Sequence, residues 1–148
     1  MNTLIRVDRI TKFVYPDWVK KVMHPELENQ GPAEYDLSKV DLWLHEDQKD
    51  GKWAKGENIY ARLKQNNGEL LKTCLTLRDS KEIKKNGTEV YRVFFKDKAL
   101  FLWGSIVQHN NGNFYVPCLR DLGDSVVELW RGLGHDWDGC SPAGRNSS

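Results

Sequence analysis

Hydrophobic and polar positions alternate first in "LIRVDRI". Leu4, Arg6, Asp8 and Ile10 fall on one side, with Ile5, Val7 and Arg9 on the other. That spacing predicts a strand, with the charged side tolerated at a sheet edge. "YPDWVKKVMHP" follows with Tyr15, Trp18, Val19 and Val22 at i, i+3, i+4, i+7, which predicts a short helix. Pro16 suits its first position, and Pro25 ends it by restricting His24. "DLSKVDLWLH" fits two periods. Leu37, Val40 and Leu44 make a helical face, while Val40, Leu42 and Leu44 alternate with Asp41, Trp43 and His45 as in a strand; the helix is preferred.

"EDQKDGKWAKG" is a turn-rich loop, with Asp50-Gly51 its clearest turn. "ENIYARLKQNNG" predicts a short helix with Ile59, Tyr60 and Leu63 inward and Asn67-Gly68 closing it. From Arg78 to Phe95 a longer helix is expected, with Ile83, Gly87, Val90, Tyr91 and Phe94 on one stripe. The period then changes. "KALFLWGSIVQ", "FYVPCLRD" and "SVVELWRGL" read as three strands joined by "HNNGN" and "LGD", an antiparallel meander. Pro117 has no N–H for a ladder, so its strand should be an edge or carry a bulge. The ending "GHDWDGCSPAGRNSS" reads as irregular. The expected fold is α+β: an antiparallel sheet of three to five strands with a C-terminal β-meander, packed by one long helix and two or three short ones. Residues 1–135 form a single domain and residues 136–148 an irregular tail.

Composition narrows the function more than the fold. At 148 residues, 39% hydrophobic and 29% charged, the chain can bury an ordinary single core. Its net charge of +1 gives no global attraction to nucleic acid or to an anionic membrane. Three cysteines without paired spacing, Cys74, Cys118 and Cys140, point to reduced thiols rather than a disulfide framework. With charges interrupting the N-terminal segment and no long apolar run, the expectation is a soluble, cytoplasmic protein.

Candidate chemistry is sparse. His45, Glu46 and Asp47 are adjacent, so their side chains point apart, and no second His lies within a turn to share a metal ion. The polar end of a structural element is the better reading, and no metal or other cofactor is expected. Neither a nucleophile elbow nor a phosphate-cradling glycine loop is present. Cys118, within an apolar strand, reads as packing. Lys81, Lys85, Arg92 and Lys96 fall on one arc of the long helix, a ridge that could bind nucleic acid but more often is a solvated face. His45, His109, Asp121 and His135 are the groups that could converge for acid/base work. Six tryptophans are many for this length. Trp43, His45, Trp103, Tyr115 and Trp130 are the candidates for an aromatic surface or pocket, with Arg120 or Arg131 supplying charge for an anionic ligand.

"YPDWVKKVMHPELE", "GPAEYDLSKVDLWLHEDQKDG", "IYARLK" and "FYVPCLRDLGDSVVELW" together resemble a group of small bacterial conserved proteins of unknown function from uncultured, environmentally sampled lineages. The resemblance runs from about Arg6 to Trp137, in several separated segments matched in order, and implies a recurring single domain. It carries no activity, cofactor or partner. The leading expectation is a small binding or interaction module, its partner a protein or a small-molecule ligand. A small acid/base or hydrolytic enzyme and a nucleic-acid binder are the alternatives, the last opposed by the charge balance. No membrane association is expected, and pairing of an exposed strand edge would give a homodimer.

Overall fold

The computed structural model describes residues 2–146. Along the chain run β1 (Leu4–Arg6), β2 (Val19–Val22), β3 (Glu34–Asp36), β4 (Val40–Trp43) and β5 (Ala54–Lys55). Three helices follow, α1 (Gly56–Gly68), α2 (Leu77–Lys85) and α3 (Thr88–Phe95). The chain continues with β6 (Leu100–Phe101), β7 (Val107–His109), β8 (Phe114–Asp121), β9 (Val126–Gly132), β10 (Asp136–Trp137) and β11 (Ala143–Asn146). The class is α+β.

The main sheet has seven strands in the order β2-β7-β8-β6-β11-β4, with β9 paired to β8. It is mixed, because β11 runs parallel to β6 and antiparallel to β4. This corrects the expected sheet of three to five antiparallel strands. Strands β7, β8 and β9 do pair in succession, but they are embedded in the larger sheet and the chain continues into two more strands. Two small pairs, β1 with β3 and β5 with β10, flank it.

Alternation along the central strands sends side chains into two cores. Phe101, Val116, Cys118 and Ala143 join Ile59, Tyr60 and Leu63 of α1 with Trp103 and Trp137. Leu100, Leu119 and Val126 join Ile83 of α2, Tyr91 and Phe95 of α3, and Ile5, Val7 and Leu37 from the N-terminal part. The sheet is thus covered on both faces, which is why Leu100, Phe101, Leu102 and Trp103 are apolar without a break.

Several expectations fail for identifiable reasons. Val19–Val22 is a strand paired with Val107–His109, not part of a helix. The helical spacing of Tyr15, Trp18 and Val19 serves different contacts: Tyr15 bonds Glu28, Trp18 packs on rings, and Val19 pairs with His109. In the region read as a helix from Asp36, one 3-10 turn, Leu37–Lys39, leads into β4, so the period of two prevailed. The single helix expected from Arg78 to Phe95 is two, because Gly87 takes φ +93° and sits at the N-cap of α3. An L residue is strained at that φ, whereas glycine is not.

Pro117 lies in neither an edge strand nor a bulge. β8 has β9 on one side and both β7 and β6 on the other, with the 3-10 turn Trp103–Ser105 interrupting that second side. The Pro117 carbonyl accepts from Leu102 N at 2.9 Å, so the missing N–H points toward this interruption rather than toward β9. No ladder bond is lost there.

The segment expected to be an irregular tail supplies β10 and β11, and Trp137 is fully buried. Its glycine content has a packing role. A Cβ on Gly144 would stand 2.6 Å from Leu100 Cδ1 and 3.0 Å from Leu75 Cδ1.

Candidate functional site

"LHEDQ" folds as a 3-10 turn, Glu46–Gln48, capped by His45. His45 Nδ1 accepts from Asp47 N at 3.0 Å, and the Gln48 side chain returns the bond to His45 N at 3.0 Å. Gln48 is buried and its amide donates to the carbonyls of Asp138 and Ser141. The three adjacent polar groups therefore do not converge. Among the described residues, no group of three His, Cys, Asp or Glu is arranged to hold a metal ion.

The other singled-out residues are dispersed. Trp103 is fully buried in the stack formed with Tyr60 and Trp137, so it cannot line a surface. Trp43 is half-buried against the same core. Tyr115 and Trp130 do come together, in a half-buried set with Trp18 and His109. Trp18 stacks on His109 at 5.0 Å and meets Trp130 edge-on at 4.7 Å. Arg120 is exposed beside a separate polar cleft.

The proposed acid/base groups are likewise apart. His109 Nδ1 accepts from Asn111 N, Asp121 is forked by Arg92, and His135 lies at a shallow cleft with Glu57. His24, the remaining imidazole, shares a 2.6 Å hydrogen bond with Tyr60, and burial holds its pKa below the ordinary value. The thiols Cys74 and Cys118 are buried, which pushes them up to about 12 and about 11. Neither is a thiolate at neutral pH.

None of the six residues expected to bind lines a cavity of about 580 Å³ that the fold encloses elsewhere. Its wall is assembled from six separate segments: Arg9, the Gln30–Pro32 loop, Tyr35 of β3, the turn Leu71–Thr73 with Cys74, Asp79 of α2, and Asn146 of β11. Leu27 and Cys74 give it an apolar floor shared with the core around Trp103.

The two buried charges in the wall lock each other. Arg9 and Asp79, both buried, form a two-pronged pair at 2.8 and 3.2 Å. Asp79 also accepts from Tyr35 OH at 2.8 Å, from Thr76 N at 2.8 Å and from Thr76 Oγ1 at 3.1 Å. The remaining Arg9 donors go to Pro32 O, at 3.2 and 3.1 Å, and to Thr76 Oγ1. Asp79 is also the N3 residue that closes the capping box at the start of α2, so helix start and cavity wall are one structure. With every donor and acceptor used, this pair presents little unmet polarity to the cavity. Burial beside the Asp79 carboxylate holds the Tyr35 hydroxyl far above its ordinary pKa. At the mouth, the side chain of the exposed Lys72 makes no hydrogen bond or ion pair among the described residues.

No family profile, no curated protein and no solved structure matches the chain. Among the described residues, no helix is long and apolar enough to cross a membrane.

Spacing along the chain could not have found this cavity. Arg9 read as one member of a strand's alternation, Asp79 as a polar position in a helix, and Asn146 as tail. Only the capping pattern at Thr76 and Asp79 left a local trace.

Proposed function

We propose that the protein is a binding module that holds a small, largely apolar molecule in the cavity walled by Arg9, Tyr35, Cys74 and Asp79. The cavity itself carries this conclusion. Its volume of about 580 Å³ falls in the range usual for organic ligands. Its two buried charges, Arg9 and Asp79, are already paired with each other, so a ligand need not neutralise them. Lys72 at the mouth offers one cation for an anionic or polar end.

An NMR titration with a mixture of small organic acids and neutral aromatic fragments tests it. Amide shifts should concentrate at Gly31, Tyr35, Thr73, Cys74 and Asn146, and should vanish in Cys74→Phe, which fills the floor. If that variant does not fold, Gln30→Trp narrows the mouth from an exposed position. No response at millimolar fragment, or shifts confined to other surfaces, would overturn the proposal.

One observation favours a second site for the same kind of activity: the half-buried ring set of Trp18, His109, Tyr115 and Trp130. The two are separable by fluorescence, because the cavity wall contains no tryptophan. A ligand on the ring set quenches tryptophan emission and loses affinity in Trp18→Ala, whereas a cavity ligand leaves the emission unchanged.

A further inference from the structure

A second concavity, of about 350 Å³, shares no lining residue with that cavity and lies where the end of α3 meets β8, β9 and the loop before β11. Its character is the reverse of the first. Five cations, Arg92, Lys96, Lys98, Arg120 and Arg131, face three carboxylates. Two of those carboxylates are consumed by the protein. Arg92 forks Asp121, with Nε at 2.5 Å and Nη2 at 3.2 Å, and this pairing holds the Asp121 carboxyl below its ordinary pKa. Asp138 turns its carboxylate onto Cys140 N at 2.9 Å and the Ser141 hydroxyl at 3.4 Å. Among the described residues, the side chains of Lys96, Lys98 and Arg120 make no hydrogen bond or ion pair.

Arg131 is held in place by other means. Its guanidinium lies 5.7 Å from the Trp137 ring and 6.0 Å from that of Phe101, and it spends one N–H on Asp136 O at 3.4 Å. Its position is therefore set by the aromatic core rather than by a carboxylate, leaving its other donors for a ligand. Lys98 is half-buried as well, and the carbonyl of that residue accepts from Tyr91 OH, which anchors the cleft's floor to α3.

We propose that this cleft binds a compact, multiply charged phosphate-bearing molecule through Lys96, Lys98, Arg120 and Arg131. The excess of cations gives the sign, and the two guanidinium groups suit phosphate oxygens. Concavity and size favour a small molecule over an extended polyanion. The basic ridge that an unbroken helix would have presented is divided by Gly87: Arg92 and Lys96 border this cleft, whereas Lys81 and Lys85 border a different one with Asp8 and Thr11. A nucleic-acid strand would lack a continuous track.

Isothermal titration calorimetry and NMR with inorganic pyrophosphate, at constant ionic strength, test the site on the intact protein. Saturable binding is expected, with shifts at the amides of Lys96, Asp97, Lys98 and Arg120. Lys98→Gln/Arg120→Gln should weaken it by roughly tenfold or more, the loss of two charge-assisted bonds. Lys81→Gln/Lys85→Gln should leave it unchanged. Both pairs of substitutions lie on side chains without partners in the cores, and thermal unfolding confirms that each variant is folded. Absence of saturable binding, or equal binding by the Lys98/Arg120 variant, overturns the proposal. So does tighter binding of a single-stranded oligonucleotide that is lost in the Lys81/Lys85 variant.

Discussion

Two buried arginine–carboxylate pairs lean on adjacent residues of α2, yet they are built differently. Asp79 meets Arg9 in a two-pronged pair and accepts three further bonds, so both partners are saturated. Arg78 meets Glu28 only at 3.6 Å between Nε and Oε2, and neither of those atoms has a hydrogen-bond partner. Its guanidinium instead reaches the carbonyls of Asp8, at 2.8 Å, and of Thr11. The other oxygen of Glu28 accepts from Tyr15 OH at 2.7 Å and from Ser105 Oγ, which in turn accepts from Leu77 N. One pair is thus a closed unit facing a cavity. The other is a relay of separate bonds tying the N-terminal loop to the start of α2. Geometry, not the presence of opposite charges, decides which of them stabilises the fold by its pairing.

The largest test of that contrast is Asp79→Asn. It removes the counter-charge of the buried Arg9 and replaces one of two fully used acceptor oxygens with a donor, and should cost about 3–5 kcal/mol in denaturant unfolding. Glu28→Gln keeps an acceptor for Tyr15 and Ser105 and gives up a pairing that was never well formed. About 1–3 kcal/mol is expected. Equal losses in the two variants would break the comparison.

A smaller effect separates the two tyrosines. Tyr35→Phe and Tyr15→Phe each remove one bond to a buried carboxylate, about 1 kcal/mol apiece at neutral pH. Both hydroxyls have pKa values raised above the ordinary 10.0, by burial first and then by the neighbouring carboxylate. A raised acid keeps its proton in the folded chain after the unfolded chain has lost it. The stability from both tyrosines is therefore intact below pH 10 and declines as pH rises above it. Unfolding followed across that alkaline range should show a shallower decline in either Phe variant than in the native protein. Unchanged slopes would mean that the hydroxyls are not held by Asp79 and Glu28.

Legibility in the sequence followed the range of the interactions. α1 was readable with its inward residues, because Ile59, Tyr60 and Leu63 repeat a spacing that the helix uses directly. The segment from Tyr15 to Val22 was not, since its apolar residues serve partners ninety or more positions away: Val19 pairs with His109 and Trp18 meets Trp130. Gly87 carried a choice between packing and a break that spacing alone does not decide, and a positive φ chose the break. The "SPAGRN" segment looked irregular because small residues imply loops on average. Here Gly144 is small so that Leu75 and Leu100 can close over it. The cavity was invisible for the same reason in stronger form, as its wall takes a few residues from each of six segments. Arg120 was singled out as a charge for an anionic ligand, but the rings expected beside it lie elsewhere.

The position of β11 has a consequence for the order in which the molecule can form. β4 joins the main sheet only through β11, and Trp43 and Ala143, one hundred residues apart, are paired in that register. During synthesis β4 emerges early and must wait, its ladder groups unpaired, while α1, both later helices and the central strands are made. Closing so long a loop is entropically costly and delays the rewarding contacts. Until β11 arrives, Asn146 is also missing from the cavity wall. The cavity wall is therefore complete only once β11 has closed the sheet between β6 and β4.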